Sequence, residues 1–344
     1  MKAIRITAIG QRLKQENIVA PRPAAGEVRV AVKAAGVCHS DAHYRSGVGA
    51  LCRLPITPGH EVAGIIDSVG PGVRRDRVGE RVCLHYLVTC GKCRFCRQGK
   101  GQFCPEVAMI GKDIDGGYAE YIVVPEQNAF PLPDEIPFTH GAVMMCSFAT
   151  AMHAFAKARF KEGESVAIFG IGGLGMAAIG IASVLGASEI IAVDRNAAKV
   201  SAAGEMGAFG INVTEQDVTE AIMDRTGGRG VDVALELVGL PTTTQQAIRS
   251  LGVQGRAAIA GLAHESTAIN MYQDLIGKER EVIGVSDHLP GEISELIEMA
   301  SKGLLEIAPV ISRNIPLDEA LINSVFDELD RYHGDAVRTV ITID

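Results

Sequence analysis

Four closely spaced cysteines form the first group of side chains in this sequence that could do chemistry. The stretch CGKCRFCRQGKGQFC, residues 90–104, has the pattern C-x2-C-x2-C-x7-C. Four thiolates can make a closed tetrahedral site for Zn²⁺ that leaves no position for a substrate. In a reducing compartment such a cluster indicates a metal site rather than disulfides. Its ligands would be Cys90, Cys93, Cys96 and Cys104.

The cysteines and histidines outside this stretch supply candidates for a second metal site. Cys38 lies in AAGVCHSDAHY, His60 in TPGHEVAG and Cys146 in AVMMCSFATAMHAF. Two cysteines and one histidine could bind one Zn²⁺ and leave its fourth position open, as catalytic zinc requires. The spacing alone does not select these three residues, because a lone buried cysteine is more often a small hydrophobic residue than a ligand.

A glycine-rich turn indicates a dinucleotide site. The segment GIGGLG has the pattern G-x-G-x-x-G, with a β-rich run before it and an alanine-rich run after it. In this context Gly170 permits a tight turn, Gly172 lets the backbone approach a pyrophosphate, and Gly175 lets helix and strand pack closely. The helix N-terminus favours the phosphate charge. The predicted binding segment comprises Gly170, Gly172, Gly173, Leu174 and Gly175.

Asp194 indicates which dinucleotide binds. It lies 19 residues after Gly175, at the end of EIIAVD. Its carboxylate would accept hydrogen bonds from the adenosine ribose and repel a 2′-phosphate, so NAD is favoured over NADP. Arg195 follows immediately and could soften this preference. A glycine turn in an unrelated α/β domain is the weaker alternative.

The elements that must position these residues change character along the chain. Roughly the first hundred residues contain short β-branched runs with turn signals, which predict a β-rich domain. Examples are Glu27–Gly36, Glu61–Gly70 and Glu80–Val88. After about residue 150, strands alternate with helices and predict a parallel sheet. Its predicted strands are Ser165–Phe169, Ile190–Val193, Val231–Leu237, Arg256–Ala260 and Glu281–Val285, and a helix is predicted at Glu292–Gly303.

Length and composition limit the class of protein. With 344 residues the chain is too long for one ordinary core, so two domains are expected. Hydrophobic residues at 47% and charged residues at 22% are near globular averages and exclude extensive disorder. The net charge of −8 opposes nucleic-acid binding. Basic residues between the clustered cysteines would instead offset the negative charge of four metal-bound thiolates.

The motifs occur in the order found in a known family. GVCHSDAHY, PGHEVAG, the four-cysteine stretch and GIGGLG are similar to segments of zinc-dependent medium-chain alcohol dehydrogenases, and the resemblance covers essentially the whole chain. It implies an α/β protein with a β-rich GroES-like catalytic domain and a Rossmann domain built on a doubly wound parallel sheet. The catalytic domain is expected at residues 1–148, with 287–344 returning to it, and the NAD-binding domain at 149–286.

The resemblance also implies two zinc ions per chain. The catalytic zinc would be held by Cys38, His60 and Cys146, the Cys₂His set already known for alcohol dehydrogenase. The four-cysteine stretch would hold a structural zinc. Glu61 resembles a carboxylate that approaches the metal during ligand exchange, and Asp41 one that holds the other ring nitrogen of the zinc-bound histidine.

Further residues match a proton relay and a pyrophosphate site. Ser40 matches the hydroxyl that takes the substrate proton, and His43 the outer end of the relay, reached through the cofactor ribose. His39 and Arg338 match positions that contact the cofactor pyrophosphate. The simpler interpretation is that both histidines are surface residues and the two carboxylates local hydrogen-bond acceptors.

The implied function is reversible oxidation of a primary or secondary alcohol to an aldehyde or ketone, with hydride transfer to NAD. The chain lacks the tryptophan of many ethanol-preferring bacterial relatives, so longer, branched or secondary alcohols are expected. Polyol and threonine dehydrogenases usually have glutamate where Cys146 stands, which favours simple alcohols. The alternatives are a polyol or threonine-type dehydrogenase, a zinc-free reductase of the same fold, and a non-catalytic NAD-binding zinc protein.

The sequence and the resemblance also lead to expectations about the protein's location and partners. The segment MKAIRITAIG has no apolar signal region, so a cytoplasmic protein is expected. The uncharged window Val166–Ser188 is long enough to cross a bilayer, but its glycines favour a strand, a turn and a helix. Expected partners are an alcohol or carbonyl substrate and further copies of the chain, with a tetramer favoured over a dimer. Neither nucleic acid nor a membrane is expected.

Overall fold

The computed structural model describes residues 1–262, 265–331 and 334–344, which form two compact units. The first unit comprises Met1–Cys146, Leu289–Gly303 and Ile307–Asp344. The second comprises Ser147–His288 and Leu304–Glu306. No helix in the described ranges is long and apolar enough to cross a membrane.

The strands and helices are numbered in chain order. The strands are β1 (Lys2–Arg5), β2 (Lys14–Asn17), β3 (Glu27–Val37), β4 (Glu61–Val69), β5 (Arg81–Leu84), β6 (Leu87–Val88), β7 (Ala108–Met109), β8 (Tyr121–Pro125), β9 (Ala129–Pro131), β10 (Ser165–Phe169), β11 (Glu189–Asp194), β12 (Phe209–Asn212), β13 (Val231–Glu236), β14 (Leu251–Ile259), β15 (Glu281–Gly284), β16 (Ile311–Pro316) and β17 (Arg338–Thr342). The α-helices are α1 (His39–Ser46), α2 (Arg94–Arg97), α3 (Phe138–Val143), α4 (Ala149–Ala158), α5 (Gly173–Val184), α6 (Ala197–Glu205), α7 (Val218–Arg225), α8 (Pro241–Arg249), α9 (Pro290–Ser301) and α10 (Glu319–Asp330).

A seven-stranded sheet organises the first unit. Its order is β16-β17-β3-β4-β5-β9, and β8 also pairs with β3. Along β3, buried and partly exposed positions alternate up to Ala34, after which the strand is buried throughout. One face of the sheet therefore covers a core of aliphatic side chains that includes Val30, Ile66 and Leu84.

The predicted strand Glu80–Val88 is divided, and Asn128 is the reason. The side-chain amide of Asn128 donates to the backbone carbonyls of His85 and Leu87 at 2.8 and 2.9 Å, and the backbone carbonyl of Asn128 accepts from His85 N–H at 2.9 Å. The two side-chain bonds take the place of backbone bonds between strands, so β5 ends at Leu84 and a separate short strand begins at Leu87. The sequence prediction of one continuous strand is wrong here.

The sheet brings two separate segments of the first unit together. β3 and β4 are antiparallel neighbours, and Gly36 at the end of β3 is opposite Glu61 at the start of β4. A Cβ at Gly36 would lie 1.9 Å from Glu61 Oε2, so only glycine fits beside this carboxylate. The residues after β3 and before β4 are thus at the same end of the sheet.

Helix α1 follows β3 and is fixed by a buried arginine. Arg45 donates to Asp327 at 3.1 Å and to Asp330 at 2.5 Å, both on α10. Its guanidinium carbon also lies 5.2 Å from the ring centre of Phe326. Because Arg45 is buried, these charge-assisted bonds hold α1 firmly against α10.

The second unit contains six parallel strands in the order β12-β11-β10-β13-β14-β15, with helices between successive strands. This is the strand order typical of dinucleotide-binding sheets, and the order reverses between β10 and β13. The parallel sheet predicted from the sequence is confirmed, although β12 was not among its predicted strands. The uncharged window Val166–Ser188 contains most of β10, the glycine turn and α5.

Candidate active site and metal centres

Four potential ligands from three segments of the first unit converge in its interior. They are Cys38, His60, Glu61 and Cys146; all are buried, and their ligand atoms lie within 4.8 Å of one another. Cys38 is the residue before α1, and the adjacent His60 and Glu61 lead into β4. Cys146 lies in a π-helical turn, Met144–Phe148, an irregularity common at functional sites.

The buried carboxylate of Asp41 connects the segments that carry two of these ligands. It accepts hydrogen bonds from Cys38 N–H at 3.1 Å, from Gly59 N–H at 3.2 Å and from the Tyr118 hydroxyl at 3.0 Å. Nδ1 of His60 lies 3.2 Å from the same carboxylate. With Nδ1 donating to Asp41, Nε2 of His60 is left to coordinate a metal, the arrangement usual for zinc-bound histidines.

Tyr118 was not found by sequence reasoning and belongs to this arrangement. Besides its hydroxyl bond to Asp41, its backbone N–H donates to Pro58 O at 3.1 Å. A Cβ at Gly59 would lie 2.3 Å from the Tyr118 ring, so the ring packs directly on the backbone before His60. Nothing in the local pattern GGYAEY signals this role, because its partners lie about 60 to 80 residues away.

Charge in the cluster is unevenly divided between the two cysteines. A hydrogen bond from Cys146, together with the charges of Arg338 and His60, holds the pKa of Cys38 well below its usual value. The same contact and burial raise the pKa of Cys146 well above its usual value. A divalent cation at this position would stabilise both groups as thiolates. The donor set therefore fits zinc.

Glu61 and Arg338 form a buried ion pair beside the cluster. Burial raises the pKa of Glu61 to about 7, although the guanidinium of Arg338 opposes the shift. Arg338 Nη2 lies 3.3 Å from Glu61 Oε1, and Nη1 donates to Val37 O at 2.9 Å. Contact of Arg338 with a cofactor pyrophosphate stays a prediction.

The remaining predicted relay residues lie on α1. Ser40 Oγ is 3.7 Å from Cys38 Sγ, which puts this hydroxyl next to the cluster. His39 and His43, one helical turn apart, stack with ring centres 4.6 Å apart. Burial lowers the pKa of His39, and the charge of His43 adds to this effect. Ser40 and His43 are three residues apart and so share one face of the helix.

The four clustered cysteines form a second candidate metal centre, here called the cysteine lobe (Cys90–Cys104). Its sulfur–sulfur distances include 3.4 Å for Cys93–Cys96, 3.5 Å for Cys90–Cys104 and 4.0 Å for Cys90–Cys96. Four sulfurs at about 2.3 Å from one zinc lie roughly 3.8 Å apart in a tetrahedron. A hydrogen bond from Cys96 N–H lowers the pKa of Cys93 to about 7, which favours the thiolate. The lobe fits a closed zinc site.

The other two cysteines are outside both clusters. Cys83 is fully buried, and burial raises its pKa to about 12, as for an inert core thiol. Cys52 is exposed, and its thiol donates to Asp113 at 2.9 Å.

The glycine turn of the second unit has the space that a phosphate needs. Gly170 has φ +94°, and a Cβ there would lie 2.6 Å from Val238 Cγ2. A Cβ at Gly175 would lie 2.0 Å from Gly170 O, so helix and turn are in close contact. At Gly172, by contrast, a Cβ would meet nothing within 4 Å. Because α5 begins at Gly173, its N-terminal backbone amides border this open space, and Leu174 lies in the first turn.

Asp194, at the end of the neighbouring strand β11, accepts a hydrogen bond from this turn. One carboxylate oxygen accepts from Ile171 N–H at 2.7 Å, and the other accepts from Asn196 N–H at 2.9 Å. Arg195 follows on the surface. The carboxylate therefore lies at the carboxyl end of β11 beside the glycine turn, as a ribose-binding acid requires.

Comparison with known proteins assigns the family. Residues 24–134 match the alcohol dehydrogenase GroES-like domain, and residues 173–302 match the zinc-binding dehydrogenase family. The sorbitol dehydrogenase of Bacillus subtilis (strain 168) is 32% identical over 90% of this chain and 88% of its own length. The alcohol dehydrogenase of Geobacillus stearothermophilus is 31% identical over 96% of both chains. The chain belongs to the zinc-type medium-chain dehydrogenases.

A solved structure supports the same assignment for this dehydrogenase. A structure described as a short chain alcohol dehydrogenase from Escherichia coli CFT073 in complex with NADH aligns with a TM-score of 0.90 at 28% identity and covers 99% of each chain. The predicted fold class, a GroES-like domain together with a Rossmann sheet, is confirmed. The dehydrogenase is an oxidoreductase that acts on CH–OH donors.

Tyr118→Phe tests how the dehydrogenase orients His60. The change removes the hydroxyl bond to Asp41 but keeps the ring on Gly59. We expect zinc affinity at the Cys38–His60–Cys146 cluster to fall roughly ten-fold, the lower end of losses from outer hydrogen-bond partners. Chelator competition measures this, and zinc bound by the cysteine lobe would serve as an internal standard.

Tyr121→Phe is the matched control, because Tyr121 lies on β8 and contacts Arg29 instead. Equal zinc retention in both variants would show that the Tyr118 hydroxyl does not support the site.

Proposed function

We propose that this protein is a zinc-dependent alcohol dehydrogenase that reversibly oxidises a primary or secondary alcohol to an aldehyde or ketone, with hydride transfer to NAD. The observation that carries this proposal is the buried cluster of Cys38, His60 and Cys146, with His60 oriented by Asp41. We further propose that residues 1–148 and 287–344 act as the catalytic domain and residues 149–286 as the NAD-binding domain.

The residues around the cluster have distinct roles in this proposal. A zinc ion held by Cys38, His60 and Cys146 would supply the Lewis acidity that makes an alcohol oxygen more acidic. The Ser40 hydroxyl accepts the proton released from that oxygen and gives up its own, which His43, on the same face of α1, carries towards solvent. The Arg338 guanidinium offsets negative charge on Glu61 when the two thiolates are ionised.

Cys146→Ala tests the catalytic cluster. Because the remaining residues cannot complete the site, we expect zinc to fall from about two to about one per chain, with activity lost. Zinc is counted by mass spectrometry, and NADH formation is followed at 340 nm. Cys83→Ala is the control, since Cys83 is buried but outside both clusters.

The two zinc sites are separated by a third variant. Cys104→Ser should also remove one zinc, the one in the cysteine lobe. The cluster of Cys38, His60 and Cys146 should retain its zinc. Full zinc content and activity in Cys146→Ala would refute the catalytic site. One zinc in the unmodified protein, unaffected by Cys146→Ala, would favour a reductase without zinc at its active site or a non-catalytic NAD-binding protein.

The preference for NAD over NADP rests on Asp194. Asp194→Asn keeps an oxygen that accepts from Ile171 N–H but removes the charge that repels a 2′-phosphate. We expect the ratio of kcat/KM for NAD to that for NADP to fall about ten-fold, equivalent to roughly 1.4 kcal/mol. Glu205→Gln, at the exposed end of α6, is the control. An unchanged ratio would contradict the role of Asp194.

The substrate class has two candidates. Cys146 and the absence of tryptophan support simple, longer or secondary alcohols. The 32% identity with a sorbitol dehydrogenase supports polyols as the second candidate, with threonine-type substrates in the same group. A screen of primary, secondary and polyol alcohols with NAD separates them by kcat/KM.

We also propose a cytoplasmic homo-oligomer, with a tetramer favoured over a dimer. In the second unit, β15 is the last strand of its sheet, and the nearby Met271, Tyr272 and Ile276 are 61%, 70% and 60% exposed. Apolar exposure beside a sheet edge supports association. Sedimentation velocity should give a mass of about four chains, and a monomer at micromolar concentration would contradict the proposal.

A further inference from the structure

A buried carboxylate lies where the strand order of the second unit reverses. Glu236 ends β13, is paired in register with Phe169 at the end of β10, and is 0% exposed. In open parallel sheets the ligand crevice lies outside the carboxyl ends of the strands at such a reversal. Glu236 therefore lies beside the predicted dinucleotide site, although none of the sequence motifs named above includes it.

One oxygen of Glu236 organises the turn that follows β13. Oε1 accepts from Val238 N–H at 3.0 Å, from Gly239 N–H at 2.9 Å and from the Thr243 hydroxyl at 2.7 Å. Three hydrogen bonds to one buried oxygen fix the path of the chain from β13 into α8.

This turn packs directly against the glycine turn of the dinucleotide site. The nearest atom to a Cβ built at Gly170 is Val238 Cγ2, at 2.6 Å. Leu237 N–H also donates to Phe169 O, immediately before Gly170, at 3.0 Å. A displacement of Val238 would therefore change the space available to Gly170, and with it the position of the amides that face the pyrophosphate.

Glu236 also anchors the loop after β14. Its backbone carbonyl accepts from Ala260 N–H at 2.9 Å and from Gly261 N–H at 3.0 Å. A Cβ at Gly261 would lie 2.7 Å from Glu236 Oε2, so the second carboxylate oxygen faces this loop. Glu236 thus contacts the loops that follow two neighbouring strands, the turn after β13 through its carboxylate and the loop after β14 mainly through its backbone carbonyl.

We propose that Glu236 is a positioning residue for the dinucleotide: its carboxylate holds Val238 against Gly170 and so keeps the phosphate-binding turn in shape. The inference rests on the proposed binding of NAD by this unit. Glu236 has no direct part in the reaction. Its loss should weaken cofactor binding and leave the chemical step nearly unchanged once NAD is saturating.

The test compares Glu236→Ala with Glu236→Gln in the full-length, zinc-loaded protein. We expect Glu236→Ala to raise the Kd for NADH at least ten-fold and the KM for NAD similarly, with kcat within about two-fold. Glu236→Gln retains an oxygen acceptor and should stay within about three-fold of the unmodified protein. Calorimetric titration with NADH gives Kd, and the zinc content should remain unchanged in both variants.

Glu205→Ala is the control for removing a carboxylate from the same unit. If the unmodified protein does not bind NADH, the proposed function itself is wrong, and with it the role of Glu236. If it binds NADH and Glu236→Ala binds equally well, or loses only thermal stability, the positioning role is overturned.

Should Glu236→Ala fail to fold, Thr243→Val removes a single donor to Oε1. We expect this smaller change to raise the Kd for NADH about two- to five-fold. An unchanged Kd in Thr243→Val would then overturn the inference.

Discussion

The hydrogen bonds to the buried Asp41 carboxylate are the interactions on which the proposed catalytic site depends. They connect the start of α1, the turn before β4 and the ring of Tyr118, which are separate parts of the first unit. Burial costs the Asp41 carboxylate its hydrogen bonds to water, and these four protein contacts replace them. Cys38 and His60 are therefore positioned by the protein itself.

Both units use a carboxylate in the same way. Asp41 holds backbone N–H groups around the metal cluster, and Asp194 and Glu236 hold the turns at the carboxyl end of the parallel sheet. Each accepts at least two hydrogen bonds from loops that carry functional atoms. Since loops lack the repeated bonds of helices and strands, such acceptors give them a defined shape.

The sequence predicts most of the fold and the types of ligand, because the signals for them lie within short segments of the chain. Glycine spacing in GIGGLG, cysteine spacing in the lobe and β-branched runs each depend on neighbours within a few residues. Tyr118, the break caused by Asn128 and the placement of Cys146 beside Cys38 depend on contacts between distant segments. A single sequence carries no direct signal for these contacts, and only the resemblance to a family singled out Cys38, His60 and Cys146.

Zinc K-edge X-ray absorption of the full-length protein tests the central claim most directly. The cysteine lobe would supply four sulfur ligands, and the proposed catalytic site two sulfurs, a nitrogen and an open position. The average is then about three sulfur ligands per zinc. We expect this average together with a nitrogen or oxygen shell at about 2.0 to 2.1 Å. Four sulfurs per zinc without that shell would mean that only the cysteine lobe binds metal, and would contradict the catalytic site.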